Sequence, residues 1–209
     1  MKHFLLVFLV LHSAVAAMGQ QSGSFAVNAY GGYTFRDKVN FDGFYGYVNE
    51  AFQYGGGLEY FLARTKSIEL KYLRMDTEYP LYAPAGTKLN EGKEDGSVSY
   101  IMIGANNYMG NSQSKALPYA GVDLGVGIVD LKDGGSSTKF AWGVKLGVKM
   151  NTSSVVSLKL QTHFQHIVSA VGNDFYYYPG GGVVAIPDYT SIFQFGLGAV
   201  LSFNLKPAK

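Results

Sequence analysis

The segment KFAWGVKLGVKMN, Lys139 to Asn151, alternates without a break. Phe140, Trp142, Val144, Leu146, Val148 and Met150 occupy one phase; Lys139, Ala141, Gly143, Lys145, Gly147, Lys149 and Asn151 occupy the other. On a helix at 100° per residue the large apolar side chains would be scattered around the axis, whereas a strand gathers them on one face. The same alternation recurs along the chain, at the spacing expected of strands of about 9–11 residues separated by turn residues. It predicts eight strands, over Ser24 to Phe35, Ala51 to Leu62, Ser67 to Met75, Ser97 to Met109, Leu117 to Val129, Lys139 to Asn151, Val155 to Val168 and Ser191 to Leu205. In the last, Phe193, Phe195, Leu197, Ala199, Leu201, Phe203 and Leu205 oppose Gln194, Gly196, Gly198, Ser202 and Asn204. The fourth, SVSYIMIGANNYMG, carries apolar residues in both phases, so the pattern leaves its facing open.

The connections add a second signal. RTKS, GNSQSKA and TSS are short; RDKVNFDGFYGYVNE, DTEYPLYAPAGTKLNEGKEDG, DLKDGGSST and SAVGNDFYYYPGGGVVAIPDYT are mostly longer and richer in glycine, aromatics and charge. Short and long alternate, which in an up-and-down barrel puts all the long loops on one rim and both ends of the strand array on the other. No linker divides the array, so one domain over residues 20–209 is expected.

Composition decides which face meets which solvent. Charged residues are 15% of the chain, against roughly 25% in an ordinary soluble domain. The chain has 27 glycines, 16 tyrosines and 14 phenylalanines. Glycine on the polar faces suits a narrow interior, where eight strands leave little room. The charges on those faces have both signs, Glu59, Glu69 and Asp123 with Lys71, Lys145, Lys149 and Lys159, as a closed polar lumen requires. Aromatics placed toward strand ends, among them Tyr30, Tyr33, Tyr54, Tyr60, Tyr72, Tyr108, Phe140, Trp142 and Phe203, suggest interfacial belts. A soluble barrel with these faces reversed is the competing reading. The first residues, MKHFLLVFLVLHSAVAAMGQQ, have the basic start, short apolar run and small residues of an export leader over residues 1–19. That apolar run is shorter than the roughly 20 residues of a membrane-spanning helix.

On these residues the chain resembles the small eight-stranded outer-membrane barrels, of the OmpX and OmpA membrane-domain type. GGGLEYFLARTKSIELKYLR, a strand, short turn and strand carrying Glu59, Glu69 and Lys71 on one face, exemplifies the likeness. The end of the chain departs from the pattern: LSFNLKPAK stands where many such barrels have a terminal aromatic, leaving Phe203 to take that part. The resemblance implies an all-β, eight-stranded antiparallel up-and-down transmembrane barrel in the outer membrane of a Gram-negative bacterium. It also implies contact with outer-membrane lipid and lipopolysaccharide.

Candidate chemistry is sparse. The net charge of +2, or +1 without Lys2, and the lack of clustered cations give no field for nucleic acid. With no cysteine there is no thiol nucleophile and no disulfide framework. After the leader only His163 and His166 remain; three apart on a strand, they point to opposite faces and cannot share a metal. Ser169 falls on the nominal face of His163 without the further groups a hydrolase needs. GLGAVL has no helix after it and DLKDGG lacks calcium-loop spacing, so no cofactor is expected. The expected role is a monomeric, non-enzymatic anchor whose long loops serve surface interaction, with an extracellular protein or glycan, or envelope integrity. Tyr176, Tyr177 and Tyr178 in the last loop are the candidate contact residues. A lipid A-modifying or proteolytic barrel and a small pore are the alternatives.

Overall fold

The computed structural model describes residues 22–111, 114–132, 134–153, 155–171 and 190–205, with the side chains of 169–171 excepted. The leader expected over residues 1–19 lies outside them. Among the described residues there are eleven strands: β1 Phe25–Thr34, β2 Asp37–Phe41, β3 Phe44–Val48, β4 Ala51–Ala63, β5 Lys66–Glu78, β6 Leu81–Tyr82, β7 Asp95–Tyr108, β8 Ala116–Leu131, β9 Ser136–Asn151, β10 Val156–Val171 and β11 Thr190–Leu205. Eight of them close a barrel in the order β1-β11-β10-β9-β8-β7-β5-β4, and all neighbours are antiparallel. Closure is made by β1, which pairs with β4 on one side and β11 on the other, from Phe25 opposite Leu205 to Thr34 opposite Gly196. A closed ladder leaves no sheet edge, the condition for a strand array in lipid.

The alternation of the sequence becomes the two sides of the wall. Leu70, Ile103, Leu124, Leu146 and Leu197 each leave more than half of their surface outside, 58%, 58%, 53%, 58% and 52%. Their strand neighbours Glu69, Lys71, Asp123 and Lys145 are buried. In β7 the inward phase is Val98, Tyr100, Met102, Gly104, Asn106 and Tyr108, and Ile101 and Ile103 face out. The packing resolves what the pattern left open, because both phases of this strand meet apolar neighbours.

Two expected belt residues belong elsewhere. Tyr108 is buried inside the barrel, and the Tyr30 hydroxyl turns inward onto Glu69; each shares the phase of lumenal neighbours, Asn106 and Asn28. Tyr33, Tyr54, Tyr72, Phe140 and Phe203 do face outward, and the outer wall pairs Phe25 with Tyr60 at 4.8 Å and Trp142 with Phe164 at 5.8 Å.

The long connections also contain more order than the pattern predicts. β2, β3 and β6 form a separate three-stranded sheet. β2 and β3 meet at Phe41 opposite Phe44 through Asp42-Gly43, with Gly43 at φ 75°, a conformation glycine takes without strain. The third connection shrinks to residues 132–135, since β8 and β9 stay paired as far as Asp130 opposite Ser136. The inner face of the small sheet, Val39, Phe41, Val48 and Leu81, packs with Leu73, Met75, Val98, Tyr100, Val129 and Ile192 of the barrel. This apolar core stops the long-loop end. Asp37 ties the hairpin to the wall by accepting the Phe193 N–H at 2.8 Å; burial raises its carboxyl above the ordinary value against the pull of that bond.

Placing a cation on the outer wall tests this assignment. Leu124→Arg, in the middle of β8, should lower folding stability in vesicles by about 2–4 kcal/mol, and Leu205→Arg, at the end of β11, by no more than about 1 kcal/mol. Equal costs measured by denaturant titration would contradict the outward facing of Leu124.

Candidate functional site

Between the apolar stop at the long-loop end and a smaller cluster of Ala26, Phe61, Tyr108, Leu117 and Tyr119 at the other, the lumen is polar. The strands deliver its charges by register. Glu59 of β4 lies opposite Glu69 of β5, Glu69 opposite Gly104, and Gly104 opposite Asp123 of β8, so three carboxylates fall on one row. Two carboxylates directly opposite one another repel. Their separation from water makes compensation obligatory.

Compensation comes from lysines of β5, β9 and β10. Lys159 Nζ reaches Glu59 at 2.6 Å, Lys145 Nζ bridges Glu69 at 2.9 Å and Asp123 at 3.0 Å, and Lys71 Nζ meets Asp123 at 2.7 Å. Neutral donors complete the shells. Ser67 Oγ and Tyr108 OH donate to Glu59 Oε1 at 2.5 and 2.6 Å, and Asn106 Nδ2 at 3.2 Å. Asn28 Nδ2 donates to both glutamates, and Tyr30 OH to Glu69. Above this layer Gln53 Nε2 donates to Gln165 at 3.0 Å and Tyr100 OH to Gln194 at 2.6 Å. Gly104 makes room for the Asp123 carboxylate, since a methyl group there would lie 2.1 Å from Oδ1.

The structure therefore brings Glu59, Glu69, Lys71, Asp123, Lys145 and Lys159 into one network. Lys149 is buried in the same lumen yet has no hydrogen-bond partner; its ammonium sits over the Phe61 and Tyr108 rings at 5.0 and 5.4 Å. Among the described residues the lumen thus holds four lysines for three carboxylates. Asn28, Asn106, Tyr30 and Tyr108 escape a reading based on charge, although an asparagine in the inward phase of an apolar strand is a recognisable signal.

His163 is buried in the lumen and His166 lies on the outer face, stacked on Phe193 at 4.3 Å. Neither ring of His163 nor of His166 has a hydrogen-bond partner on its nitrogens. The side chain of Ser169 and the loop residues Tyr176, Tyr177 and Tyr178 lie outside the described residues.

The long-loop rim presents a second constellation, on the outer face of the small sheet. Tyr45 lies opposite Tyr82 and stacks on it at 5.3 Å, with Tyr47 edge-on at 5.9 Å to Tyr45. Lys38 Nζ covers Tyr45 at 4.8 Å and the Arg36 guanidinium covers Tyr47 at 5.0 Å. A cleft of about 590 Å³ on the barrel exterior, lined by Arg74, Asp76, Glu78, Asp95 and Lys132 among others, lies at the same rim.

The family model described as "Outer membrane protein beta-barrel domain" matches residues 4–203. Among solved structures, the outer membrane protein OprG of Pseudomonas aeruginosa superposes with a TM-score of 0.59 at 14% identity, over 90% of this chain and 98% of that one. Neisserial surface protein A gives 0.57 at 18% identity, over 85% and 96%. The N-terminal barrel domain of P. aeruginosa OprF gives 0.53 at 15% identity, over 89% and 100%. At these identities the likeness is one of fold. No curated protein sequence matches the chain.

Two substitutions separate paired from unpaired lumenal charge. Glu69→Ala, which takes from Lys145 one of its two carboxylates and from the Tyr30 hydroxyl its acceptor, should cost about 3–5 kcal/mol. Lys149→Met, which removes an ammonium that meets no carboxylate, should raise stability by about 1 kcal/mol or more. Urea unfolding in lipid vesicles reads both, and a destabilising Lys149→Met would refute the assignment of that lysine as unpaired.

Proposed function

The chain belongs to the outer membrane protein beta-barrel domain family, and from that premise we propose that it is a non-enzymatic anchor of the Gram-negative outer membrane that holds its long-loop rim out for contact. The observation that carries this reading is the filled lumen. An eight-stranded wall encloses just enough space for side chains. Here that space is taken by the paired charges of Glu59, Glu69, Asp123, Lys71, Lys145 and Lys159, and above them by the apolar packing of Val39, Phe41, Val48 and Leu81. A pore would need a wet path through both layers.

The same apolar packing gives the rim its rigidity. The small sheet is fixed on its inner side, so Arg36, Lys38, Tyr45, Tyr47 and Tyr82 are held on the other as a preorganised row of rings and cations. Rigid aromatics with adaptable polar neighbours suit the recognition of an extracellular protein or glycan. Tyr176, Tyr177 and Tyr178 belong to this proposed surface by their place between β10 and β11 in the sequence. A leader over residues 1–19, a monomeric state, and lipopolysaccharide around the outer wall complete the proposal.

Pure protein in planar bilayers should give no reproducible porin-sized steps, and such steps would overturn the anchor reading. A photo-cross-linking residue placed at Tyr45 should capture extracellular protein or glycan in intact cells, and one at Leu124 should capture lipid alone. Capture of lipid alone from both positions would remove the rim as a working surface.

A further inference from the structure

The two rims differ in how their charges are matched. At the long-loop end Arg36 pairs with Glu50 at 3.1 Å, Arg74 with Asp76 at 2.7 Å, Lys88 with Glu94 at 2.5 Å and Lys132 with Asp95 at 3.7 Å. Among the described residues the short-turn end has cations and no acids. Residues 61–68, 108–117 and 151–158, which make the three short turns and the strand ends beside them, contain no aspartate or glutamate. They do contain Arg64, Lys66 and Lys115, all exposed, and no described carboxylate pairs with any of them.

Backbone bonds gather these cations on one arc. The β4-β5 turn carries Arg64 and ends at Lys66; Tyr108 N–H donates to Thr65 O at 2.7 Å, stitching that turn to the start of the β7-β8 connection. Lys115, at the far end of that connection, accepts the Asn151 N–H at 2.9 Å and is thereby tied to the third turn. Lys66 lies opposite Asn107. Directly beside the arc on the outer wall stand Leu62, Ile68 and Met109, each large, apolar and exposed. The cations thus mark the edge of the lipid-facing band, at the depth of lipid headgroups, and long basic side chains reach such a level while their stems cover apolar surface.

We propose that the arc bearing Arg64, Lys66 and Lys115 is a docking surface for the phosphate groups of anionic phospholipids in the adjoining leaflet. Charge complementarity selects this occupant: three unmatched cations in a row at the headgroup level attract a negative lipid surface and have no counter-ion in the described protein. The opposite rim pairs Arg36, Arg74, Lys88 and Lys132 with carboxylates and carries further exposed acids, Asp42 and Glu91 among them, beside Lys38 and Lys93, which pair with none among the described residues. The proposal rests on the membrane-spanning reading above.

The test reconstitutes the chain in phosphatidylcholine vesicles containing a minority of spin-labelled phosphatidylglycerol or, separately, spin-labelled phosphatidylcholine. Folding is checked by heat-modifiable gel migration; failure of the wild-type chain to insert would count against the membrane reading itself. The wild-type barrel should retain the anionic probe about tenfold more strongly than the zwitterionic one at low salt. The Arg64→Gln/Lys66→Gln/Lys115→Gln variant should lose that preference, Lys66→Arg/Lys115→Arg should keep it, and Lys38→Gln/Lys93→Gln/Lys132→Gln, at the other rim, should leave it unchanged. Should the triple glutamine variant fail to fold, high salt applied to the wild type should erase the preference. A folded barrel with no preference, a preference that survives the glutamine variant, or one that survives high salt overturns the proposal.

Discussion

A carboxylate held away from water needs opposite charge and hydrogen-bond donors within reach, and the interior of this barrel is organised around that requirement. Glu59 and Glu69 face one another on adjacent strands, an arrangement that would drive the strands apart on its own. It persists because Lys159 and Lys145 arrive from the far side of the wall, carried by β10 and β9. The pairs therefore tie distant strands together across the lumen, and each demands that the intervening strands be in register. A one-residue slip anywhere would carry these side chains out into lipid.

The rest of the architecture follows from the same demand. Glycines open the inner wall where a carboxylate or a lysine needs space, as Gly104 does for Asp123 and Gly121 does for Lys145. The outer wall stays apolar, so nothing outside competes for the lumenal ions. The long-loop end is sealed by apolar side chains of the barrel and of the small sheet, which excludes water from above and fixes the sheet at once. A sealed lumen and a rigid rim are one device. Outside this packed interior the two rims arrange their charges differently.

Much of this was legible in the chain before any coordinates. In β9 and β11 the large apolar residues Phe140, Val144, Leu146, Val148, Phe193, Phe195, Leu197, Leu201, Phe203 and Leu205 all point out, because the lipid side of the wall accepts only apolar side chains along the middle of a strand, whereas the inward side also takes Ala141, Ile192 and Val200. The β7 facing was not legible, since its inward phase contributes Val98, Tyr100 and Met102 to the apolar stop. Length and glycine content made RDKVNFDGFYGYVNE read as a loop. Its Asp42-Gly43 turn nevertheless separates Val39 and Phe41 from Gly46 and Val48, and that spacing is a hairpin's. For Tyr30 and Tyr108 position toward a strand end suggests the belt, but phase decides the side. Partner choice among the lumenal charges was beyond the sequence altogether: Lys149 lies opposite Lys159 on the neighbouring strand, and only the three-dimensional reach of Glu59 gives one of them a carboxylate and leaves the other over aromatic rings.

The central claim is that ion pairs reaching across the lumen hold the wall in register, and a double-mutant cycle on Glu59 and Lys159 tests it most directly. Unfolding free energies of the wild type, Glu59→Gln, Lys159→Met and the double variant, measured reversibly in lipid vesicles, give the coupling. The account predicts a coupling above about 1.5 kcal/mol, with the double variant less damaged than the sum of the single ones. Additivity to within about 0.5 kcal/mol would contradict it.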